Sequence, residues 1–144
     1  MSPDTIFSIC SNIAMAGWII LIFAPFWFNA DKFVLGVIIA LLSIVYAWLV
    51  FDSFQLSDIK KFGSLQGVMQ LFTNPVMLTA GWVHYLAFDL LAGIFIKKNS
   101  IKHNISHWLV IPCLLLTFMF GPVGLLLYLL IRFIVTRNYF ASNF

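Results

Sequence analysis

From Thr5 to Ala30 the chain carries no charged residue, and from Phe33 to Phe51 it again carries none. A helix crossing the roughly 30 Å hydrocarbon core of a bilayer needs about 20 consecutive, mostly apolar residues. Both stretches qualify. A third runs from Asn74 to Ile96 with one charge, Asp89, and a fourth from His107 to Ile131 with Arg132 at its end. Four such stretches in 144 residues leave little chain for anything else. The pattern predicts an all-α integral membrane bundle of four transmembrane helices. It is one domain over residues 1–144, with spans at about 5–28, 33–52, 74–96 and 107–132.

Composition excludes the main soluble alternatives. Hydrophobic residues make up 62% of the chain and charged ones 9%, against about 25% charged in soluble domains. There is no basic run, which argues against nucleic acid as a partner. All five acids are Asp, so a bundle-type di-metal site, built from several Glu, is excluded. Cys10 and Cys113 fall inside apolar stretches and read as small buried hydrophobes. The first stretch carries Asp4 where a secretory signal would be basic, and its apolar run is too long for a signal core, so it reads as a retained helix.

The first connection, Asn29-Ala30-Asp31-Lys32, is tight and makes the first two spans antiparallel neighbours. The polar segment Lys97 to Ser106 does the same for the last two. The middle connection is longer, and Phe62, Leu65, Met69 and Phe72 recur in it at helical spacing. A short helix in the membrane interface fits that stripe. Asn74-Pro75 starts the third span, with proline in the first turn, where its missing N–H costs nothing. With four spans both ends of the chain share one side. Lys60, Lys61, Arg132 and Arg137 then oppose Lys32, Lys97, Lys98 and Lys102, and the positive-inside rule gives no orientation.

Asp89 is the most informative residue. An ionised Asp at the centre of a span costs about 2.5–3.5 kcal/mol, and ionisable groups there are functional by default. The alternative is an acid that locks helices together. Tyr85 lies four residues earlier on the same face, with Trp82 near it. His84 is five residues before Asp89 and about 140° away around an ideal helix, so one helix does not bring the two into contact. In the fourth span, Pro122 removes a backbone hydrogen bond and kinks the helix, and Gly121 and Gly124 allow close backbone approach. The kink either makes room for a ligand or forms a packing notch. Tyr128 and Arg132 share a face, with Arg132 close enough to the interface to snorkel. His103 and His107, four apart, lack a third ligand and make a weak metal signal; no metal and no cofactor are expected. No phosphate loop, nucleophile elbow or Cys-x-x-Cys is present.

Three segments together resemble one family. They are Leu65-Gln66-Gly67-Val68-Met69-Gln70-Leu71-Phe72-Thr73-Asn74-Pro75, Ala80-Gly81-Trp82-Val83-His84-Tyr85-Leu86-Ala87-Phe88-Asp89-Leu90 and Leu116-Thr117-Phe118-Met119-Phe120-Gly121-Pro122-Val123-Gly124. They are similar to the abscisic-acid-deficient-four-like family of small four-helix membrane proteins, whose plant members are required for making neoxanthin from violaxanthin. The likeness is to a bacterial member more than a plant one, which implies the bacterial inner membrane. The resemblance implies a carotenoid-like isoprenoid ligand. It points to His84 and Asp89 as the candidate catalytic pair, with Trp82, Tyr85, Phe88, Pro122, Tyr128 and Arg132 as candidate binding residues.

Two readings stand side by side. In one, the chain isomerises an epoxy-carotenoid-like substrate: Asp89, kept protonated by burial, is the acid at the epoxide oxygen and His84 the base at a C–H. In the other it is non-catalytic, binding a carotenoid or membrane lipid, or assembling as a homo-oligomer or with a partner enzyme. A small proton-linked transporter is a third, weaker reading.

Overall fold

Local signals start the helices where the sequence places them. The computed structural model describes residues 1–24, 27, 29–138 and 140. Ser2 caps α1 (Pro3–Phe23) by accepting the Thr5 N–H at 3.3 Å, with Pro3 in the first turn. Asn74 caps the long helix that follows it by accepting the Val76 N–H at 2.9 Å, with Pro75 next. Both prolines sit where a helix has no use for their N–H.

The architecture is all-α, with no strand among the described residues. After α1, one continuous helix covers Ala30–Ser53. It comprises α2 (Ala30–Phe33), a π-helical stretch Val34–Ile39, and α3 (Ala40–Ser53). A 3-10 turn, Leu56–Gly63, leads to α4 (Leu65–Phe72), capped by Ser64. The longest helix is α5 (Pro75–Lys102), followed by α6 (His107–Phe120) and α7 (Pro122–Thr136).

Three helices, Pro3–Phe23, Ala30–Ser53 and Pro75–Lys102, are long and apolar enough to cross a membrane. Those are the lengths and compositions of a membrane protein. The first ends at Phe23, short of the expected 28; positions 25, 26 and 28 lie outside the described residues. The third extends six residues past the expected 96. The middle connection does hold a short helix, α4, with Leu65, Met69 and Phe72 of the apolar stripe exposed, while Phe62 falls in the 3-10 turn before it.

The fourth apolar stretch departs from expectation. It is two helices, separated by Gly121, which holds φ 45° and ψ −96°. At 1.5 Å per residue, limbs of 14 and 15 residues reach about 21–22 Å, short of a full crossing. The limbs also double back on each other. A methyl on Gly124 would run into the Thr117 backbone and the Cys113 carbonyl, which a straight helix would hold far apart. Tyr128 and Arg132 return to the level of Asn99 in α5. Residues 107–136 therefore form a hairpin whose tip rests against α5, with Gly121 buried there and Met119, Phe120, Pro122 and Val123 exposed around it. Irregular backbone at membrane depth is tolerated only where protein buries it, and Gly121 is buried.

Packing fixes the directions. Trp82 Nε1 donates to Ser11 Oγ at 2.9 Å, Leu90 meets Gly17, and Lys97 Nζ donates to the Ala24 carbonyl at 3.2 Å, so α1 and α5 run parallel. The α3 residue Tyr46 meets His84, and Asp31 pairs with Lys98 at 3.4 Å, so the Ala30–Ser53 helix runs antiparallel to α5. Buried Trp18 lies against Gly93, where an added Cβ would sit 3.0 Å from its ring. With lipid as solvent, such close packing replaces hydrophobic burial as the force between helices. The outward faces remain apolar, as Ile19, Ile44, Phe88, Leu126 and Leu130 show.

Candidate functional site

The tip of the hairpin lies against Asp89. A Cβ on Gly121 would sit 2.6 Å from Asp89 Oδ1, so the carboxyl occupies the space a side chain would need. The backbone at Gly121 reverses direction in one residue, in a conformation that favours glycine. Pro122 then opens α7 without adding an unpaired N–H. The partial positive charge of the first turn of α7 thus begins beside the carboxyl. Asp89 is only 8% exposed, and its Oδ2 has no hydrogen-bond partner among the described residues. An unsatisfied buried polar atom costs about 1–3 kcal/mol, and such an atom in a native fold calls for an explanation.

Tyr85, one turn earlier on the same face, donates its hydroxyl to the Met119 carbonyl at 3.1 Å. That carbonyl belongs to the last turn of α6, whose C=O groups lack helical partners. The same hydroxyl is close enough to the Asp89 carboxyl to interact with it electrostatically.

Away from the tip, an aromatic-walled cleft of about 690 Å³ opens among Phe7, Phe72, Leu78, Gly81, Trp82 and Tyr85. The stack runs from Phe7 to Trp82 (centroids 5.1 Å apart) and on to Tyr85 (5.4 Å). Gly81 matters here, because a Cβ there would sit 2.7 Å from the Phe72 ring. Tyr85 is common to the cleft wall and the Asp89 contact, so it stands between them.

The other expected site residues are distributed elsewhere. His84 is exposed and packs on Tyr46 (5.4 Å) and Phe88 (4.5 Å), towards α3. It does not join Asp89, in keeping with their angular separation on the helix. Phe88 lines a second, smaller cavity of about 450 Å³ with Leu91, Phe95, Lys98 and Leu125. Pro122 is exposed beside the tip. Tyr128 and Arg132 are buried, and both donate to Asn99 Oδ1, at 2.6 and 3.2 Å. Arg132 therefore does not snorkel; the returning limb carries it inward. Among the described residues no group of three His, Cys, Asp or Glu comes together. His107 instead meets the Ile22 carbonyl at 3.1 Å.

Two participants escaped the sequence reading. Asn99 sits in Lys97-Lys98-Asn99-Ser100, which reads as a polar loop but is the last turns of α5. The Met119 carbonyl gains its role only because the helix stops at Gly121.

Over residues 5–128 the chain matches the ABA DEFICIENT 4-like family. No curated protein and no solved structure matches it.

Proposed function

The chain belongs to the ABA DEFICIENT 4-like family, and from that premise we propose that it acts in carotenoid metabolism by binding a long isoprenoid with a polar end group. The apolar body lies along Phe7, Trp82 and Tyr85, and the polar end reaches past Tyr85 to Asp89. The setting is a bacterial inner membrane. The observation that carries the reading is the unpartnered, buried Oδ2 of Asp89 one turn from an aromatic cleft. A hydroxyl brought there would complete its hydrogen bonding by donating to the carboxylate, and an epoxide oxygen would do so by accepting from the protonated acid. A mostly apolar wall with a few polar groups, here Asp4, Thr79 and Tyr85, is the usual make-up of a ligand site.

An isomerisation remains the second reading, favoured by the same carboxyl. Protonated, Asp89 can donate to an epoxide oxygen as the C–O bond opens. His84 faces α3 rather than the hairpin, so the C–H proton leaves to the carboxylate that Asp89 becomes on giving up its own, and one group serves as acid and then as base. In this reading His84 is a packing residue, and Tyr85 is the polar group that works beside Asp89.

The test is a pigment profile. The chain is expressed in a carotenoid-producing bacterial host as wild type, Asp89→Asn, Tyr85→Phe and His84→Ala, with folded yield measured in each. The binding reading expects pigment to copurify with wild type and His84→Ala and to be lost from the other two at normal yield. A new pigment that vanishes in Asp89→Asn supports isomerisation. Colourless wild-type protein and an unchanged profile would refute both.

A further inference from the structure

The hairpin changes which charges share a side. Because α6 and α7 double back, Arg132 and Arg137 lie at the same end of the bundle as Lys32, Lys97, Lys98 and Lys102. The Asp31–Lys98 pair, the Lys97–Ala24 bond and the Arg132–Asn99 bond tie that end together. At the other end Pro3 and Asp4 face Phe72 and Pro75 across the cleft, next to the 3-10 turn that carries Lys60 and Lys61. Six of the eight basic residues are thus at the hairpin end and two at the cleft end. Three of the five acids, Asp4, Asp52 and Asp58, are at the cleft end.

Lys and Arg near the ends of spans are retained on the cytoplasmic side, and acids count for little in that rule. The even split of a four-span topology becomes a decisive one when the fourth segment returns. The anionic cytoplasmic leaflet also attracts a basic surface.

We propose that the hairpin end faces the cytoplasm, and that the aromatic cleft therefore opens to the opposite leaflet, from which it takes its apolar ligand. The exposed Leu65, Met69 and Phe72 of α4 lie in the interface of that leaflet. Phe72 belongs to both α4 and the cleft wall, so a lipid-borne ligand enters between α4 and α1. The direction of access rests on the site reading above, whereas the orientation rests on the fold and the charges alone.

The test is cysteine accessibility in the full chain. Cys10 and Cys113, both buried, are replaced by Ala. Single cysteines are then placed at exposed, uncharged positions: Ser57→Cys and Gly63→Cys at the cleft end, Ser106→Cys and Asn138→Cys at the hairpin end. Gly63 is a second probe because nothing lies within 4 Å of an added Cβ there. Intact bacterial spheroplasts are treated with a membrane-impermeant maleimide, and permeabilised ones set full labelling. The expected result is full labelling at 57 and 63 in intact cells, and loss of labelling at 106 and 138 until permeabilisation. The reverse pattern overturns the orientation. Labelling of 138 together with 57, but not 106, overturns the hairpin. None of these readouts involves pigment, so failure of the carotenoid reading leaves them unaffected.

Discussion

Replacing Gly121 by alanine perturbs the hairpin at its tip, and the structure sets the scale. Gly121 holds φ 45°, and holding a non-glycine residue in such a region costs about 1–3 kcal/mol. The new methyl would also sit 2.6 Å from Asp89 Oδ1 and 3.2 Å from its Cγ, and forcing a methyl into a packed site costs about 1–3 kcal/mol. Together the expected loss is about 2–6 kcal/mol, a large share of the roughly 5–15 kcal/mol that keeps a small domain folded. Gly36→Ala is the control. Nothing lies within 4 Å of a Cβ there, and alanine is favoured over glycine inside a helix by about 0.5–1 kcal/mol. Unfolding is followed by tryptophan fluorescence in mixed micelles of increasing denaturing-detergent fraction. Adding Asp89→Ala to Gly121→Ala should restore the steric part and leave the backbone part, a coupling of about 1–3 kcal/mol. A Gly121→Ala protein within about 0.5 kcal/mol of wild type, or no coupling to Asp89, would refute the tip geometry.

Two further outcomes follow from the bonds outside the cleft. Asn99→Leu removes the shared acceptor of Tyr128 and Arg132 and should cost about 1–3 kcal/mol, while Tyr128→Phe should cost about 0.5–1.5 kcal/mol; the same unfolding assay checks both. In the 3-10 turn, the Lys61 ammonium (2.8 Å) and then the Gln55 N–H (3.0 Å) hold the Asp58 carboxyl below the usual carboxylate range. Its stabilisation is present above the unfolded pKa and is lost as pH falls through the lowered folded value. Amide exchange over residues 55–64, corrected for intrinsic rate, should therefore accelerate below about pH 4 in wild type, and Asp58→Asn should remove that acceleration.

Much of this arrangement is legible in the residues. Hydropathy alone locates the three long helices, and helical spacing alone sets Tyr85 on the Asp89 face and turns His84 away from it. Hydropathy cannot tell a span from a hairpin, because both limbs around Gly121 are as apolar as one continuous helix. Pro122 after a glycine announces a break, but its angle depends on Gly124 finding Thr117 and Cys113. The same ambiguity hides Arg132, which snorkels in a through-going helix and is buried in a returning one. Asn99 looks like loop chemistry until Tyr128 and Arg132 arrive to satisfy it.

The most direct test of the site is a binding titration with two probes of equal length, a hydrocarbon carotene and its hydroxylated counterpart. The protein is reconstituted in lipid nanodiscs. A hydrogen bond to a charged group contributes about 1.5–3 kcal/mol, so the oxygenated probe should bind about 10- to 150-fold more tightly. That preference should collapse in Asp89→Asn and Tyr85→Phe and persist in His84→Ala. Equal affinity for both probes, or a preference that survives the loss of Asp89, would contradict the account.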